Sequence, residues 1–308
     1  MYSTESVWKE LQRYLPSENR IIDEVMPTEK MYKFKDFNVH VDEYIPSQTS
    51  NVCVVLFHGV GGNGRLLSFL AVPLFKMGFE VICPDLPGYG FSEYEKYPSY
   101  NDWIDIGCDI TRSKISENKK VVLLGLSAGG MLAYNIACKV DQIKGLIVTN
   151  ILDTRLEVVR EYSAKNKFQA KYGLKLLGYM PDFIKKLKVP IAMVTNMNGL
   201  VNDENVLKVL LKDKRGAGNK VEICFLLSMM GSEPIKEPEQ FMKIPVLLCH
   251  PGNDKWTPAS ISELFFDRIK ANKNKIILEN CGHFPIESPG REKMEEEIVK
   301  FINLTTTD

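Results

Sequence analysis

Short, continuous apolar runs separated by helix-like stretches constrain this chain more than any other feature. The run VCVVLF at 52–57 is rich in β-branched residues and lacks alternating polar positions, which is typical of a strand buried on both faces of a parallel sheet. Comparable runs are FEVICPD (79–85), VVLLGL (121–126), GLIVTN (145–150), PVLLCH (245–250) and KIILEN (275–280). Helix-like segments lie between them at 65–77, 102–116 and 128–140. This alternation predicts βαβ units and a mostly parallel sheet, and therefore the α/β class.

Three regions depart from that alternation. Residues 31–46 alternate apolar and polar in part, which predicts an antiparallel pair at a sheet edge with Asp36 near the turn. The first 20 residues predict a short amphipathic helix with Val7, Leu11 and Leu15 on one face. The alternation stops between 153 and 244, where basic and apolar helix-like stretches predominate. We therefore predict a discontinuous core domain, residues 1–152 and 245–308, interrupted by a helical cap insertion at 153–244.

The composition narrows the range of possible partners. The 308 residues are 44% hydrophobic and 25% charged, with a formal net charge of +0. Balanced charge predicts no general attraction to nucleic acid or to anionic membranes. The N-terminus lacks the pattern of a secretory signal, and no stretch reaches the roughly 18 apolar residues of a membrane span. We expect a cytoplasmic protein with no integral membrane segment.

The cysteines agree with that expectation. There are seven of them, an odd number, and no two form a C-x-x-C pair. Cys53, Cys83 and Cys249 lie inside apolar strand-like runs, where cysteine behaves as a small hydrophobic residue. The pattern favours reduced, buried thiols over a disulfide framework, and no cysteine has the surroundings of a catalytic thiol.

The most informative motif is GLSAG at 125–129, which has the spacing G-x-S-x-G around Ser127. A glycine on each side allows a sharp strand-to-helix turn that raises the serine hydroxyl above the sheet edge. The motif is common by chance, but here it follows the predicted strand VVLLGL and precedes a predicted helix. That context favours Ser127 as a nucleophile over a structural serine in a glycine-rich turn.

A serine hydroxyl needs a base, and the chain has only four histidines. His40 lies in the predicted hairpin, His250 ends a strand, and His58 precedes a glycine-rich turn where a structural role is expected. His283 follows the last predicted strand in the sequence NCGHFP, from which a loop can carry the imidazole to the serine. We predict His283 as the general base.

The acid that orients this histidine is expected between the serine and the histidine in sequence. Asp254 lies there, in PGNDKWTP directly after the strand at 245–250. A carboxylate in this place would hold the neutral tautomer of His283 and stabilise its imidazolium form. Asp153, just after the strand at 145–150, is the rival candidate, and placement favours Asp254.

The sequence HGVGGNG at 58–64 has two interpretations. Its G-x-G-x-x-G spacing, with Asp85 some 20 residues further on, formally fits a dinucleotide-binding fingerprint. Against that, a hairpin and a helix precede this strand, and Asp85 begins the loop DLPGYGFS. The alternative makes the loop one side of an oxyanion hole, in which the amides of Val60 and Ala128 bind the developing negative charge. Gly61 is the second choice for the first donor.

Together these residues resemble the α/β-hydrolase superfamily. The shared motifs are HGVGG at 58–62, DLPGYGFS at 85–92, the serine turn, GND at 252–254 and GH at 282–283. The resemblance covers about 50–150 and 245–302, and it is closest to monoacylglycerol lipases and lysophospholipases. It implies an α/β-hydrolase fold: a mostly parallel eight-stranded sheet flanked by helices, with the insertion as a cap over the site. Serine at the turn argues against the dehalogenase and epoxide-hydrolase branches of the superfamily, which use aspartate there.

The resemblance implies a Ser-His-Asp esterase, with no metal or organic cofactor. We expect a small-molecule substrate, either a medium- or long-chain acyl ester or an acyl lactone such as an acyl-homoserine lactone. A non-catalytic ligand-binding protein of the same fold is the alternative, and the oligomeric state stays open. Residues 154–244 of the cap carry sixteen Lys and Arg against ten Asp and Glu, a basic surface that is either simply solvated or faces an anionic head group or a membrane surface. Its apolar residues either pack against the core or line an acyl pocket, and these are Phe168, Tyr172, Leu176, Leu177, Tyr179, Met180, Phe183, Met193, Met197, Met229 and Met230.

Overall fold

One twisted sheet organises the molecule in the computed structural model, which describes residues 1–48 and 50–307, with the backbone alone at 23, 174 and 175. Its strands are Thr28–Phe34 (β1), Phe37–Tyr44 (β2), Val52–Phe57 (β3), Glu80–Pro84 (β4), Glu93–Tyr94 (β5), Lys120–Gly125 (β6) and Gly145–Val148 (β7), and then, after two strands outside it, Val246–Pro251 (β10) and Lys273–Leu278 (β11). The two strands outside this sheet are Lys188–Pro190 (β8) and Lys220–Glu222 (β9). The main order is β1-β2-β4-β3-β6-β7-β10-β11.

Most neighbours in this sheet are parallel. Strand β3 pairs with β4 on one side and β6 on the other, and β7, β10 and β11 continue the parallel array. Only β1 with β2 and β2 with β4 pair antiparallel along the main order. The prediction of a mostly parallel eight-stranded sheet is confirmed. The two-residue β5 adds a short ninth strand against β2, which the sequence analysis did not anticipate.

The predicted edge hairpin is also confirmed, as β1 and β2. The turn between them contains Lys35, with φ of 52°, followed by Asp36. The burial differs along the pair: β1 is largely exposed at the edge, whereas seven of the eight residues of β2 are buried. This asymmetry is expected where an antiparallel edge closes one side of a buried parallel sheet.

Helices cover both faces of the sheet. In the core they are Val7–Gln12 (α1), Ser68–Lys76 (α2), Tyr100–Ser116 (α3), Ala128–Lys139 (α4), Ala259–Phe266 (α11) and Gly290–Thr306 (α12). Helix α3 begins with a capping box, in which Ser99 and Asp102 each bond the other's backbone amide. The predicted N-terminal helix ends at Gln12, although Leu11 and Leu15 are both buried.

The segment 153–244, called the cap segment from here on, has a different construction. It consists of short elements: Glu157–Ser163 (α5), a π-helix at Gln169–Gly173, Leu174–Gly178 (α6), Asp182–Lys185 (α7), Ile191–Val194 (α8), Glu204–Lys212 (α9) and Ile223–Met230 (α10). Strands β8 and β9 pair antiparallel within it. In the helix-like run of residues 157–177, helix α5 ends at Ser163 and residues 164–166 are not helical. The side chain of Asn166 accepts the amide of Gln169 at 2.9 Å. The limits of the two units stay predictions.

Two further features expected from the sequence concern the cysteines and membrane-spanning helices. All seven cysteines are free thiols, and five of them are buried. Among the described residues, none of the helices is both long enough and apolar enough to cross a bilayer.

Candidate active site

The turn at Ser127 is strained. Its φ of 54° and ψ of −124° lie in a region that residues with a Cβ rarely adopt. Strand β6 and helix α4 approach so closely that a Cβ on Gly125 would lie 2.0 Å from the carbonyl oxygen of Gly129. The turn explains the G-x-S-x-G spacing and leaves the hydroxyl at the carboxyl edge of the sheet.

The loops after β10 and β11 bring two further predicted residues to this hydroxyl. His283 Nε2 lies 2.7 Å from Ser127 Oγ, and His283 Nδ1 lies 2.8 Å from Asp254 Oδ2. Both distances are within hydrogen-bond range. Because the carboxyl ends of parallel strands share one edge, residues 127, 254 and 283 converge although 156 residues separate the serine from the histidine.

Asp254 is held as a carboxylate. Its Oδ1 accepts the amides of Trp256 and Thr257, both at 2.8 Å, and Oδ2 accepts the Thr257 hydroxyl at 2.9 Å. Burial disfavours the charged form, but the charge and hydrogen bond of His283 and the two amides outweigh it. The pKa of Asp254 is lowered to about 2. The group is therefore ionised and oriented towards the histidine.

Three residues that the sequence analysis did not single out complete this network. The Thr257 hydroxyl oxygen also lies 3.0 Å from His283 Nδ1. Asn150 donates to Thr257 Oγ1 at 3.1 Å, and Thr149 Oγ1 accepts the amide of Ser127 at 3.1 Å. Thr149 and Asn150 end the apolar run at 145–150, and two polar residues at the end of a buried strand were the available signal.

The predicted oxyanion donors lie beside the serine. The glycine-rich loop packs so tightly on the turn that a Cβ on Gly59 would lie 2.8 Å from Ser127 Cβ and 3.1 Å from the Ala128 nitrogen. Val60 and Ala128 both line the cavity that contains Ser127. Within the described chain no protein acceptor takes the amide of either residue. Two free amides at this place could bind an anion.

The other histidines are engaged elsewhere. Buried His58 accepts the amide of Leu86 at Nε2, 2.9 Å away, while its Nδ1 lies 2.8 Å from the Gly59 carbonyl oxygen. His250 Nδ1 lies 2.9 Å from the carbonyl oxygen of Pro251. Burial lowers the pKa of both imidazoles, which favours neutral structural histidines.

The fourth histidine belongs to a buried charged cluster. His40 Nδ1 lies 2.9 Å from Asp85 and its Nε2 lies 3.0 Å from Glu29. Among the described residues, Glu29, His40 and Asp42 form one group with atoms close enough to hold a metal ion. The guanidinium of Arg65 already pairs with Asp42, its Nη2 lying 2.9 Å from Oδ1, so a cation is present without any metal.

The dinucleotide-binding interpretation needs Asp85 as a ribose ligand, and the rival assignment of the acid needs Asp153; both carboxylates have other partners in the structure. Asp85 is buried and accepts the amides of Gly64 at 2.7 Å and Phe91 at 2.8 Å, so it is not directed to a ribose. Asp153 pairs with Arg155 Nη2 at 2.7 Å, while the contact to His283 is made by Asp254.

A cavity of about 370 Å³ opens over Ser127. This is within the range of small-molecule sites. The cap segment supplies most of its wall, which is predominantly apolar and includes Phe168, Leu176, Leu177, Val189, Val194, Ile223, Leu226, Met229 and Met230. Other apolar residues of the cap segment point elsewhere: Tyr179 and Phe183 are 91% and 70% exposed, and Met197 is buried. Those side chains thus divide between cavity wall, core contact and open surface.

Comparisons with known proteins show which family the chain matches and which proteins it is similar to. Residues 48–287 match the model of the Hydrolase_4 family, described as serine aminopeptidase, S33. The chain is 25% identical over 244 residues to a pimeloyl-[acyl-carrier protein] methyl ester esterase of Wigglesworthia glossinidia brevipalpis, spanning 78% of this chain and 90% of the relative.

Solved structures give the same fold. A soluble variant of the monoglyceride lipase of Saccharomyces cerevisiae, in complex with a substrate analog, superposes with a TM-score of 0.73 at 15% identity, covering 94% of this chain and 98% of that chain. The monoacylglycerol lipase of Paleococcus ferrophilus gives a TM-score of 0.66 at 19% identity, covering 90% and 100%.

The sheet order and the serine turn define the class as the α/β-hydrolase fold. The match over most of the chain goes further: the protein belongs to the Hydrolase_4 family of serine aminopeptidase S33-like hydrolases. It is an α/β-hydrolase of the esterase and lipase type.

Proposed function

We propose that this protein is a serine hydrolase that cleaves a carboxylic ester with a medium or long acyl chain. Ser127 is the nucleophile, His283 the general base and Asp254 the residue that orients the histidine. The observation that carries the proposal is the continuous line of contacts from Ser127 Oγ to His283 Nε2 at 2.7 Å and from His283 Nδ1 to Asp254 at 2.8 Å. A strained serine turn beside two free amides adds independent support.

The reaction follows from these positions. The Ser127 oxygen attacks the acyl carbonyl carbon while its proton passes to His283 Nε2. The carbonyl oxygen becomes an anion, which the amides of Val60 and Ala128 stabilise. His283 then gives its proton to the leaving alcohol as the C–O bond breaks. Water, deprotonated by His283, hydrolyses the acyl-enzyme and restores the serine hydroxyl.

Asp254 acts throughout as an anion. Its low pKa keeps it charged at neutral pH, where it favours the His283 tautomer that carries hydrogen on Nδ1. The same charge stabilises the imidazolium that forms when Ser127 loses its proton. The two amides from Trp256 and Thr257 fix the carboxylate in place.

The cavity supports an acyl chain as the substrate's apolar part. Its wall combines thioethers such as Met229 and Met230 with branched side chains from the cap segment. Unbranched thioethers adapt to flexible chains. The relatives are a methyl ester esterase and monoglyceride lipases by name, which supports an ester rather than a peptide as the bond cleaved.

A chain-length series of p-nitrophenyl esters, from acetate to palmitate, with an acyl-homoserine lactone beside it, tests the proposal. We expect kcat/KM to rise from acetate to a medium or long chain, and Ser127→Ala to remain folded without turnover. Preference for acetate would contradict the acyl cavity, and faster opening of the lactone would make the protein a lactone hydrolase. Tight binding without turnover would instead favour the ligand-binding alternative.

We further infer that the protein works in a reducing compartment such as the cytoplasm. Seven free thiols support this, because cysteines of oxidising compartments are usually paired. Fractionation of the source cells with an antibody to the chain would test it; recovery in an oxidising compartment would contradict it.

A further inference from the structure

The glycine-rich loop that offers the Val60 amide has few means of holding its own shape. Its sequence from 59 to 64 is GVGGNG, and four of the six residues are glycine. One backbone hydrogen bond closes a turn around Val60, from the Gly62 amide to the Gly59 carbonyl oxygen at 3.1 Å. Glycine otherwise leaves the backbone many accessible conformations, so the position of the amide also depends on contacts from outside the loop. Asn63 is the one residue in this stretch with a polar side chain, and it is buried.

The partner of Asn63 comes from the cap segment. Asn63 Nδ2 donates to Asp213 Oδ2 at 3.0 Å, and Asn63 Oδ1 accepts the amide of Leu66 at 3.0 Å. The second carboxylate oxygen, Asp213 Oδ1, accepts the amide of Arg215 at 2.9 Å. Both ends of the Asn63–Asp213 contact are therefore fixed, one in the core and one in the turn formed by residues 213–219, called the clamp turn below.

The clamp turn also touches the loop backbone. A Cβ on Gly216 would lie 3.1 Å from the carbonyl oxygen of Gly61, and one on Gly61 would lie 3.4 Å from Ala217 Cα. These approaches lie one residue beyond Val60. Displacement of the clamp turn would therefore act directly on the backbone next to the predicted oxyanion donor.

A second set of contacts anchors the clamp turn to the core. The Gly90 amide donates to the Arg215 carbonyl oxygen at 3.0 Å, and Arg215 Nη1 donates back to the Gly90 carbonyl oxygen at 3.0 Å. Asn219 Nδ2 donates to the Gly88 carbonyl oxygen at 2.7 Å. The clamp turn thus contacts two core loops, the glycine-rich loop and the loop at 85–92. It belongs to the segment that supplies most of the cavity wall.

We propose that the Asn63–Asp213 hydrogen bond positions the Val60 amide, so that the cap segment sets the geometry of the oxyanion hole as well as the shape of the cavity. The inference rests on the proposed function, because it concerns the transition state of that reaction. Asn63 and Asp213 are positioning residues: they act through the loop and not on the substrate.

The test uses a swap of hydrogen-bond roles in the full-length chain. Asp213→Asn places a donor against the Asn63 donor, and Asn63→Asp places two carboxylates together. In the double variant the asparagine at 213 donates to the aspartate at 63, while both backbone amides keep their acceptors. We expect each single variant to lower kcat for a p-nitrophenyl ester about tenfold with KM nearly unchanged, and the double variant to recover to within about threefold of wild type.

A trifluoromethyl ketone provides a readout that folding alone would not move. The Ser127 oxygen adds to its carbonyl carbon, the serine proton passes to His283, and the ketone oxygen becomes an anion in the oxyanion hole. We expect its inhibition constant to weaken in parallel with the loss of kcat, about tenfold in the single variants, and to recover in the double variant. Asp141→Asn is the matched control, because Asp141 is exposed in the turn before β7, at the amino ends of the parallel strands and away from Ser127.

The outcomes distinguish a failure of the positioning role from a failure of the proposed function. Wild-type kcat in both single variants, or a folded double variant that stays slow, overturns the positioning role, and the double variant decides the question even if a single variant fails to fold. A wild-type protein without ester turnover overturns the proposed function, and this inference with it.

Discussion

The sheet and the cap segment use apolar residues in opposite ways. In the sheet, all six residues of β3 are buried, and the proposed catalytic residues lie after the strand ends, as Ser127 does after β6. In the cap segment the elements are short, and large side chains such as Tyr179 and Phe183 face outwards while others line the cavity. Under the proposed mechanism, the sheet holds the reacting atoms and the cap segment shapes the cavity that the substrate enters.

The two regions meet at the glycine-rich loop. The base side of Ser127 is held within the core, where Asp254, Thr257 and His283 bond one another. The loop that carries Val60, the proposed oxyanion donor, is held in part from the cap segment through Asp213. Substitutions in the two regions should therefore differ in size and in kind.

The largest expected effect is on the core side of the site. Asp254→Asn should lower kcat about 10⁴-fold, because the amide favours the wrong tautomer of His283. Steady-state ester hydrolysis measures it, with thermal unfolding to verify the fold. The rival carboxylate gives a matched comparison: Asp153→Asn should keep kcat within about tenfold. A reversed order of the two variants would move the acid to Asp153.

The second largest effect is expected in the free energy of unfolding, which a truncation in the sheet should lower much more than one in the cap segment. Leu124 in β6 is 0% exposed, and Leu124→Ala should lower the free energy of unfolding by about 3 kcal/mol through lost burial and a cavity. Leu176 in the cap segment is 60% exposed, and Leu176→Ala should cost less than about 0.5 kcal/mol. Urea unfolding of both variants checks this. Equal losses would mean that the cap segment packs as tightly as the sheet.

The pH dependence of stability should reveal the paired state of Asp254. Its pKa falls from 3.8 to about 2 on folding. A depressed folded pKa stabilises the protein above pH 4, and this contribution is lost as the pH falls through about 2. The stability that wild type holds over Asp254→Asn should therefore shrink by about 2 kcal/mol between about pH 5 and pH 2. A difference that stays constant over this range would show that Asp254 is not selectively stabilised in the folded state.

The smallest effect should come from reshaping the cavity. Met229→Trp fills space beside the acyl chain, so the ratio of kcat/KM for a long over a short ester should fall about tenfold. Met242→Trp is the control, because Met242 is exposed and outside the cavity wall. An unchanged ratio in Met229→Trp would place the acyl chain elsewhere.

The sheet was predictable because a strand buried on both faces leaves an unambiguous pattern, as VCVVLF does at β3. The convergence of residues 127, 254 and 283 then followed from the shared edge of parallel strands. The breaks in the cap segment were not predictable, since its apolar residues serve a cavity and a surface that leave no single period. Nor was the Asn63–Asp213 contact, because 150 positions separate its ends, Asn63 occupies a variable position of the glycine-rich motif and Asp213 stands in no motif.

Fluorophosphonate labelling followed by peptide mass spectrometry tests most directly whether Ser127 is an activated nucleophile, as we propose. We expect one adduct, on the peptide that contains Ser127, and much slower labelling in His283→Ala. Labelling at another residue, or none in the folded wild-type protein, would contradict the proposal.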